Sequence, residues 1–133
     1  MTWTRHADRN EFLLQLFPDS PSLRDVRVLE LGLHEDGPAL SMTVNLNDFP
    51  TSPPAKWKEQ SANRVQVRLV FFAMTSVQLT GWGTNNVCDI EIEKRDGRIR
   101  VNAAGGAWKL TAESEHLRLD RVSGYWDESI PKR

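Results

Sequence analysis

The sequence has one cysteine, Cys88, in 133 residues. A lone thiol excludes an internal disulfide and any multi-cysteine metal site. There is no long apolar run. The longest uninterrupted stretch, Leu69-Val70-Phe71-Phe72-Ala73-Met74, is far short of the roughly 20 residues that a spanning helix needs. Met1-Thr2-Trp3-Thr4-Arg5-His6-Ala7-Asp8 has none of the apolar character of a secretory signal. With a single thiol and no such signal, a reducing cytoplasm is the expected location. Neither sign of charge is in excess: 17 Lys and Arg stand against 18 Asp and Glu, for a net charge of −1. That balance argues against a nucleic-acid binder relying on a basic surface, and equally against an acidic mimic of DNA. The glycine-rich, Walker, zincin and nucleophile-elbow motifs are all missing.

Hydrophobic residues make up 39% of the chain and charged residues 26%, so it is a folded domain rather than a disordered one. The expected organisation is a single antiparallel β-rich domain over 1–126 and a polar tail over 127–133. Only Asp8–Phe17 reads as a helix. Phe12, Leu13, Leu16 and Phe17 share one helical face, Asp8 or Asn10 is placed to cap it, and Pro18 ends it.

After Pro21 the pattern has period two. Leu29, Leu31 and Leu33 are expected to face inward, as are Leu40, Met42, Val44 and Leu46. Residues 35–38, Glu-Asp-Gly-Pro, mark the turn between them. Pro38 has no N–H to close a two-residue loop, so a four-residue loop closed by His34 and Ala39 is expected. A second hairpin surrounds Asp96-Gly97. A four-residue loop over Lys94–Gly97 would pair Ile92 with Ile99 and Glu93 with Arg98. Residues 72–76 lack Gly and Pro, which leaves a turn and a bulged continuous strand both open. Trp108–Leu110 and His116–Val122 read as two final strands. The sum is a mainly β fold: an antiparallel sandwich or partly open barrel of seven to nine strands with one short N-terminal helix.

Candidates for chemistry are weak. His6, His34 and His116 are scattered, and no metal site or cofactor is expected from them. Asp89, Glu91 and Glu93 form a carboxylate row on one strand face. Arg98 and Arg100 are expected across the hairpin, which favours ordinary ion pairs over a catalytic dyad. Cys88 is in phase with Ile90 and should point inward as a small hydrophobe. The five tryptophans are more informative. Trp3, Trp108 and Trp126 fall near the ends of elements. Trp57 lies in the long loop 48–63 and Trp82 in the glycine-rich loop 81–86, positions where Trp can serve as an interface anchor or stack on a sugar. They can also plug the ends of the domain.

The order of the signals resembles the immunity protein 50 family of bacterial polymorphic toxin systems. Trp3 and Asn10 are followed by Pro21-Ser22-Leu23, Gly37-Pro38, Asp48-Phe49-Pro50, Pro53-Pro54 and Lys56-Trp57. Then come Asn63-Arg64-Val65-Gln66-Val67-Arg68-Leu69, Leu79-Thr80-Gly81-Trp82, Ile90-Glu91-Ile92 and Val122-Ser123-Gly124-Tyr125. Each piece is short; their collinear order over about residues 3–125 carries the resemblance. It implies a non-enzymatic cytoplasmic protein that binds a cognate protein toxin and protects the producing cell. It implies no catalytic residues; the charge balance and the short apolar runs add the expectation of no nucleic-acid partner and no membrane. Loop length and Trp content point to Asp48, Lys56, Trp57, Trp82, Asn85 and Asn86 as the partner-binding surface. The alternative reading is a carbohydrate- or small-ligand-binding β-sandwich using Trp57 or Trp82 as a platform. The flat charge totals lead to an expectation of weak electrostatic steering and modest salt sensitivity.

Overall fold

The structure, a computed structural model, describes residues 2–130. A 3-10 turn at Trp3–His6 leads into the short strand β1 (Ala7–Asp8) and helix α1 (Glu11–Leu16). Strands β2 (Val26–His34) and β3 (Ala39–Leu46) form the first hairpin. Helix α2 (Ala55–Glu59) follows, then β4 (Arg64–Thr80), β5 (Val87–Arg95), β6 (Arg98–Gly105) and β7 (Lys109–Tyr125). The seven strands form one sheet in the order β1-β7-β4-β3-β2-β5-β6, and β6 also pairs with β7. The sheet therefore curls back on itself. It is not a closed barrel, because β2 and β5 meet only at Val26↔Cys88 and Arg27↔Val87. The mainly β, partly open architecture expected from the sequence is the one found, with one exception to its antiparallel order: β1 runs parallel to β7.

β4 and β7, each 17 residues long, are paired antiparallel from Arg64↔Tyr125 to Thr80↔Lys109. Strands usually have about 5–6 residues. Two bulges let this pair coil instead of lying flat. One makes Asp120 the extra residue beside Arg68↔Arg121 and Leu69↔Leu119, and the other does the same for Thr75. The open question at 72–76 is thus resolved as a bulged continuous strand. Ala73 takes a positive φ of 52° there, and the Met74 N–H donates to the Pro38 carbonyl at 3.0 Å. Similarly, the two final strands expected from the sequence are one strand, β7.

The first hairpin closes at His34↔Ala39, as expected, and Leu33↔Leu40 and Leu31↔Met42 are in register. The third expected pair is not. A bulge at Leu29 sets Val28 opposite Val44, so Val28 is buried and Leu29 is 44% exposed. Leu33, also expected inside, is 65% exposed. The second hairpin has a two-residue loop rather than four. Arg95 opposes Arg98, Glu93 opposes Arg100, and Ile92 opposes Val101. Asp96 (φ 54°) and Gly97 (φ 76°) both adopt the positive φ of a type I′ turn, whose twist matches the flanking strands. The like charges of Arg95 and Arg98 are tolerated because both side chains are exposed to solvent.

Inside the curl, Phe71, Leu69, Val67, Met42, Val44, Ile90, Leu110 and Leu117 are all nearly inaccessible. The N-terminal segment caps one end. Trp3 is buried and its indole N–H donates to the Pro21 carbonyl at 2.9 Å. Helix α1 is shorter than the expected 8–17. Asn10 stands at its N-cap position, but its side chain donates to the Thr4 carbonyl at 2.8 Å rather than capping. A second helix, α2, occupies part of the expected long loop, starting directly after Pro53-Pro54 as helix starts often do.

Trp57 of α2 fits the hollow left by Gly124 on β7: a Cβ at position 124 would overlap the indole ring. Gly124 has no positive φ, so alanine is excluded there by space alone. Gly124→Ala should destabilise the domain by about 1–3 kcal/mol through overpacking. Gly106→Ala, with open space around it, should be nearly neutral. Urea unfolding of the two variants checks this.

Candidate functional site

Of the six residues expected to bind a partner, Asp48, Lys56, Trp82 and Asn85 are exposed, and Trp57 and Asn86 are buried. Asp48 is exposed, and its carboxylate accepts the Ser22 N–H at 2.8 Å. Lys56 is exposed on α2. Trp57 is only 7% exposed; Phe12 lies edge-on to it with centroids 6.0 Å apart, and Phe49 lies tilted against it at 6.3 Å. It plugs an end of the domain, so it offers neither a surface anchor nor a sugar-stacking platform. Asn86 is also withdrawn. Its side chain is buried and bridges the Gly83 backbone, accepting from the N–H at 2.9 Å and donating to the carbonyl at 2.8 Å. Asn85 is exposed and accepts from Arg27 at 2.8 Å. Trp82 is 40% exposed and stands perpendicular to the buried Trp108, centroids 5.3 Å apart. Among the described residues no hydrogen bond joins loop 48–63 to loop 81–86.

Trp82 belongs to a different neighbourhood. With Leu31, Leu33, Leu40, Val77, Leu79 and Leu110 it lines an apolar cleft of about 370 Å³. The topology explains the cleft. β3 pairs with β4 only as far as Ala39↔Phe72, so β4 from Met74 onward has no strand on that edge. β2 leaves β5 after Arg27, so Leu29–His34 has a free edge too. The hairpin and the far half of β4 thus diverge, and the inward-facing leucines between them are left partly uncovered. Leu33, Leu79 and Trp82 are each 40% exposed or more. Gly81 permits this geometry: it has φ 72°, and a side chain there would collide with the Ala107 carbonyl.

Sequence reading missed the leucines of this cleft because period two assigns them to the core. It assigns the face correctly, but the cover over that face depends on which strands run out.

Cys88 is buried beside Asp89. Burial, with the neighbouring carboxylate, pushes its thiol up to about 12, so it stays neutral and is no thiolate nucleophile. Among the described residues no group of three or more His, Cys, Asp or Glu is placed to hold a metal ion. No helix among the described residues is long and apolar enough to cross a membrane.

The immunity protein 50 family model matches residues 10–125. The chain belongs to this family. No curated protein and no solved structure gave a significant match. The match begins at the Asn10 that precedes α1 and runs to the end of β7, so this immunity protein 50 member has its cleft, both helices and the β2–β7 sheet inside the family span.

Beyond the span, residues 127–130 are held rather than free. Asp127 and Asn63 exchange two hydrogen bonds, at 2.7 and 3.0 Å, and Arg64 donates to the Asp127 carboxylate at 3.0 Å. The expected polar tail is thus anchored at its start; residues 131–133 lie outside the described residues. Ser129, through its hydroxyl and its N–H, holds the Asp127 carboxyl below its usual 3.8, and Arg64 adds to this. A lowered folded pKa gives stability that is present above the unfolded pKa and lost as pH falls through the folded value. Asp127→Asn should therefore destabilise the immunity protein at pH 7, and the difference should disappear in acid, below the ordinary Asp value. Urea unfolding of both proteins across that range measures it.

Proposed function

We propose that this protein neutralises a cognate bacterial toxin in the cytoplasm of the producing cell by binding it, with no chemistry of its own, and that the apolar cleft is the centre of the binding surface. Membership of the immunity protein 50 family supports the class. The observation that carries the surface is the cleft itself. It is concave, lined by leucines, and bordered by a Trp already braced against Trp108. A braced aromatic loses little rotamer freedom on binding, and such anchors dominate interfaces. The two free strand edges add unpaired backbone donors and acceptors beside the apolar floor, which suits an extended segment of a partner.

The cleft is smaller than a whole interface. Stable complexes bury about 1,200–2,000 Å² in total, so a polar rim must take part. Asn85, on the same loop as Trp82, belongs to that rim in this reading. Asp48 and Lys56 are exposed but do not line the cleft, and in this reading they are peripheral. Trp57 and Asn86 act by holding the structure.

The test is co-expression with the toxin encoded by the neighbouring gene, followed by affinity measurement with the purified proteins. Trp82→Ala and Leu33→Asp should each weaken binding by about tenfold or more, as expected for central anchors, and should reduce protection. Leu33 is so exposed that its replacement leaves the core intact. Asp48→Ala and Lys56→Ala should stay close to wild type. Wild-type affinity in both cleft variants would place the surface elsewhere. Failure of the native protein to bind or protect would sink the toxin reading altogether.

A further inference from the structure

The outer face of the sheet carries a local charge imbalance that the overall balance conceals. At the β4–β7 bulge, Arg68 lies directly opposite Arg121. Like charges placed opposite one another in an antiparallel pair destabilise it. The nearest carboxylate is Asp120, the extra residue of the bulge, and it is divided between two arginines. It stands 3.3 Å from Arg68 Nε and 3.2 Å from Arg118 Nη2. The approach to Arg68 is not a hydrogen bond: Arg68 Nε is shielded from solvent and has no hydrogen-bond partner, and Arg118 Nε is in the same position. Arg118 is held in place by the Phe72 ring, 4.4 Å from its guanidinium carbon. Arg121 is exposed and makes no ion pair among the described residues. Elsewhere on the sheet each arginine in an ion pair has a carboxylate of its own, as in Arg64–Asp127 and Arg100–Glu113.

Arg68 and Arg121 line a groove of about 330 Å³ that crosses β2, β3, β4 and β7, with Leu29 and Glu30 on its β2 side. Leu29 is the bulge residue turned outward, and it is 44% exposed. The groove thus pairs two under-neutralised guanidiniums with an apolar side chain. Guanidinium recognises carboxylate in a bidentate fashion. We propose that this groove is an interaction site for a carboxylate-bearing segment of a partner protein, with an Asp or Glu side chain completing the charge balance of Arg68 and Arg121 and an adjacent apolar residue resting on Leu29. A polyanion fits less well. Glu30 and Asp120 flank the arginines, and the net charge of −1 supplies no long-range attraction for a phosphate backbone.

The site goes beyond the toxin reading, and its test needs no toxin. The full chain, with arginine side chains labelled for NMR, is titrated separately with a hexaglutamate peptide, inorganic phosphate and an oligothymidylate. The peptide should shift the side-chain signals of Arg68 and Arg121 saturably. Affinity should fall by about fivefold in Arg121→Ala and stay unchanged in Arg98→Ala at the exposed hairpin tip, since the charge partner is local. Thermal unfolding supplies a second readout. Arg121→Ala relieves the opposed charges, so its melting temperature should equal or exceed that of the wild type while binding declines. The proposal is overturned by peptide affinity in Arg121→Ala equal to wild type. A lowered melting temperature in that variant, marking a structural arginine, overturns it too. So does tighter binding of phosphate or the oligothymidylate at these arginines, or an equal response from the hairpin-tip arginines.

Discussion

The long antiparallel pair of β4 and β7 is the constraint on which the rest of this structure depends. Its inner face supplies Val65, Val67, Leu69 and Phe71 from one strand and Leu110, Ala112, Leu117 and Leu119 from the other, all buried. Three of the remaining strands attach directly to one of these two, and β2 and β5 complete the circuit through β3 and β6. β3 takes the free edge of β4, while β6 and β1 share the free edge of β7. A flat pair of this length would present two faces and enclose nothing. The bulges at Asp120 and Thr75 add twist, and the twist lets β6 return to β7 so that one sheet surrounds its own core.

The same constraint opens the molecule. A 17-residue strand is edged by an eight-residue one, so part of β4 has no neighbour. Exposed strand edges are a liability for aggregation, and proteins usually shorten, charge or cover them. Here the unpaired stretch carries Ser76, Gln78 and Thr80 alternating with Val77 and Leu79, and Trp82 follows it. The polar residues keep half of the edge wet, and the apolar residues floor the cleft. The proposed toxin-binding surface therefore arises where the sheet fails to close.

The tryptophans divide along the same line. Trp3 and Trp57 seal the end where the helices sit, and Trp108 is buried at the other. Trp82 leans on Trp108 and is left half-covered. The arginines divide too: those facing a carboxylate of their own support the sheet, whereas at the β4–β7 bulge Arg68 and Arg118 share Asp120, and Arg121 makes no ion pair among the described residues. In both cases residues of one type take structural or surface roles according to what lies across from them.

Local chemistry is what the sequence determined by itself. Period-two alternation made the chain mainly β, Pro38 imposed the four-residue turn, and the phase of Cys88 with Ile90 buried the thiol. These depend on neighbours within a few residues, so no tertiary information is needed to read them. The inward assignment of Leu29, the four-residue turn at Asp96-Gly97 and the loop exposure of Trp57 differ from the structure for another reason. Each turns on a bulge, a twist or a distant glycine, and a side-chain period carries no trace of these. Only the tertiary structure decided that Gly124 makes room for Trp57, that β3 stops short of Met74, and that Arg68 confronts Arg121. Pairing partners far apart in the chain set these outcomes, because burial depends on the strand that arrives alongside as well as on the face a residue occupies.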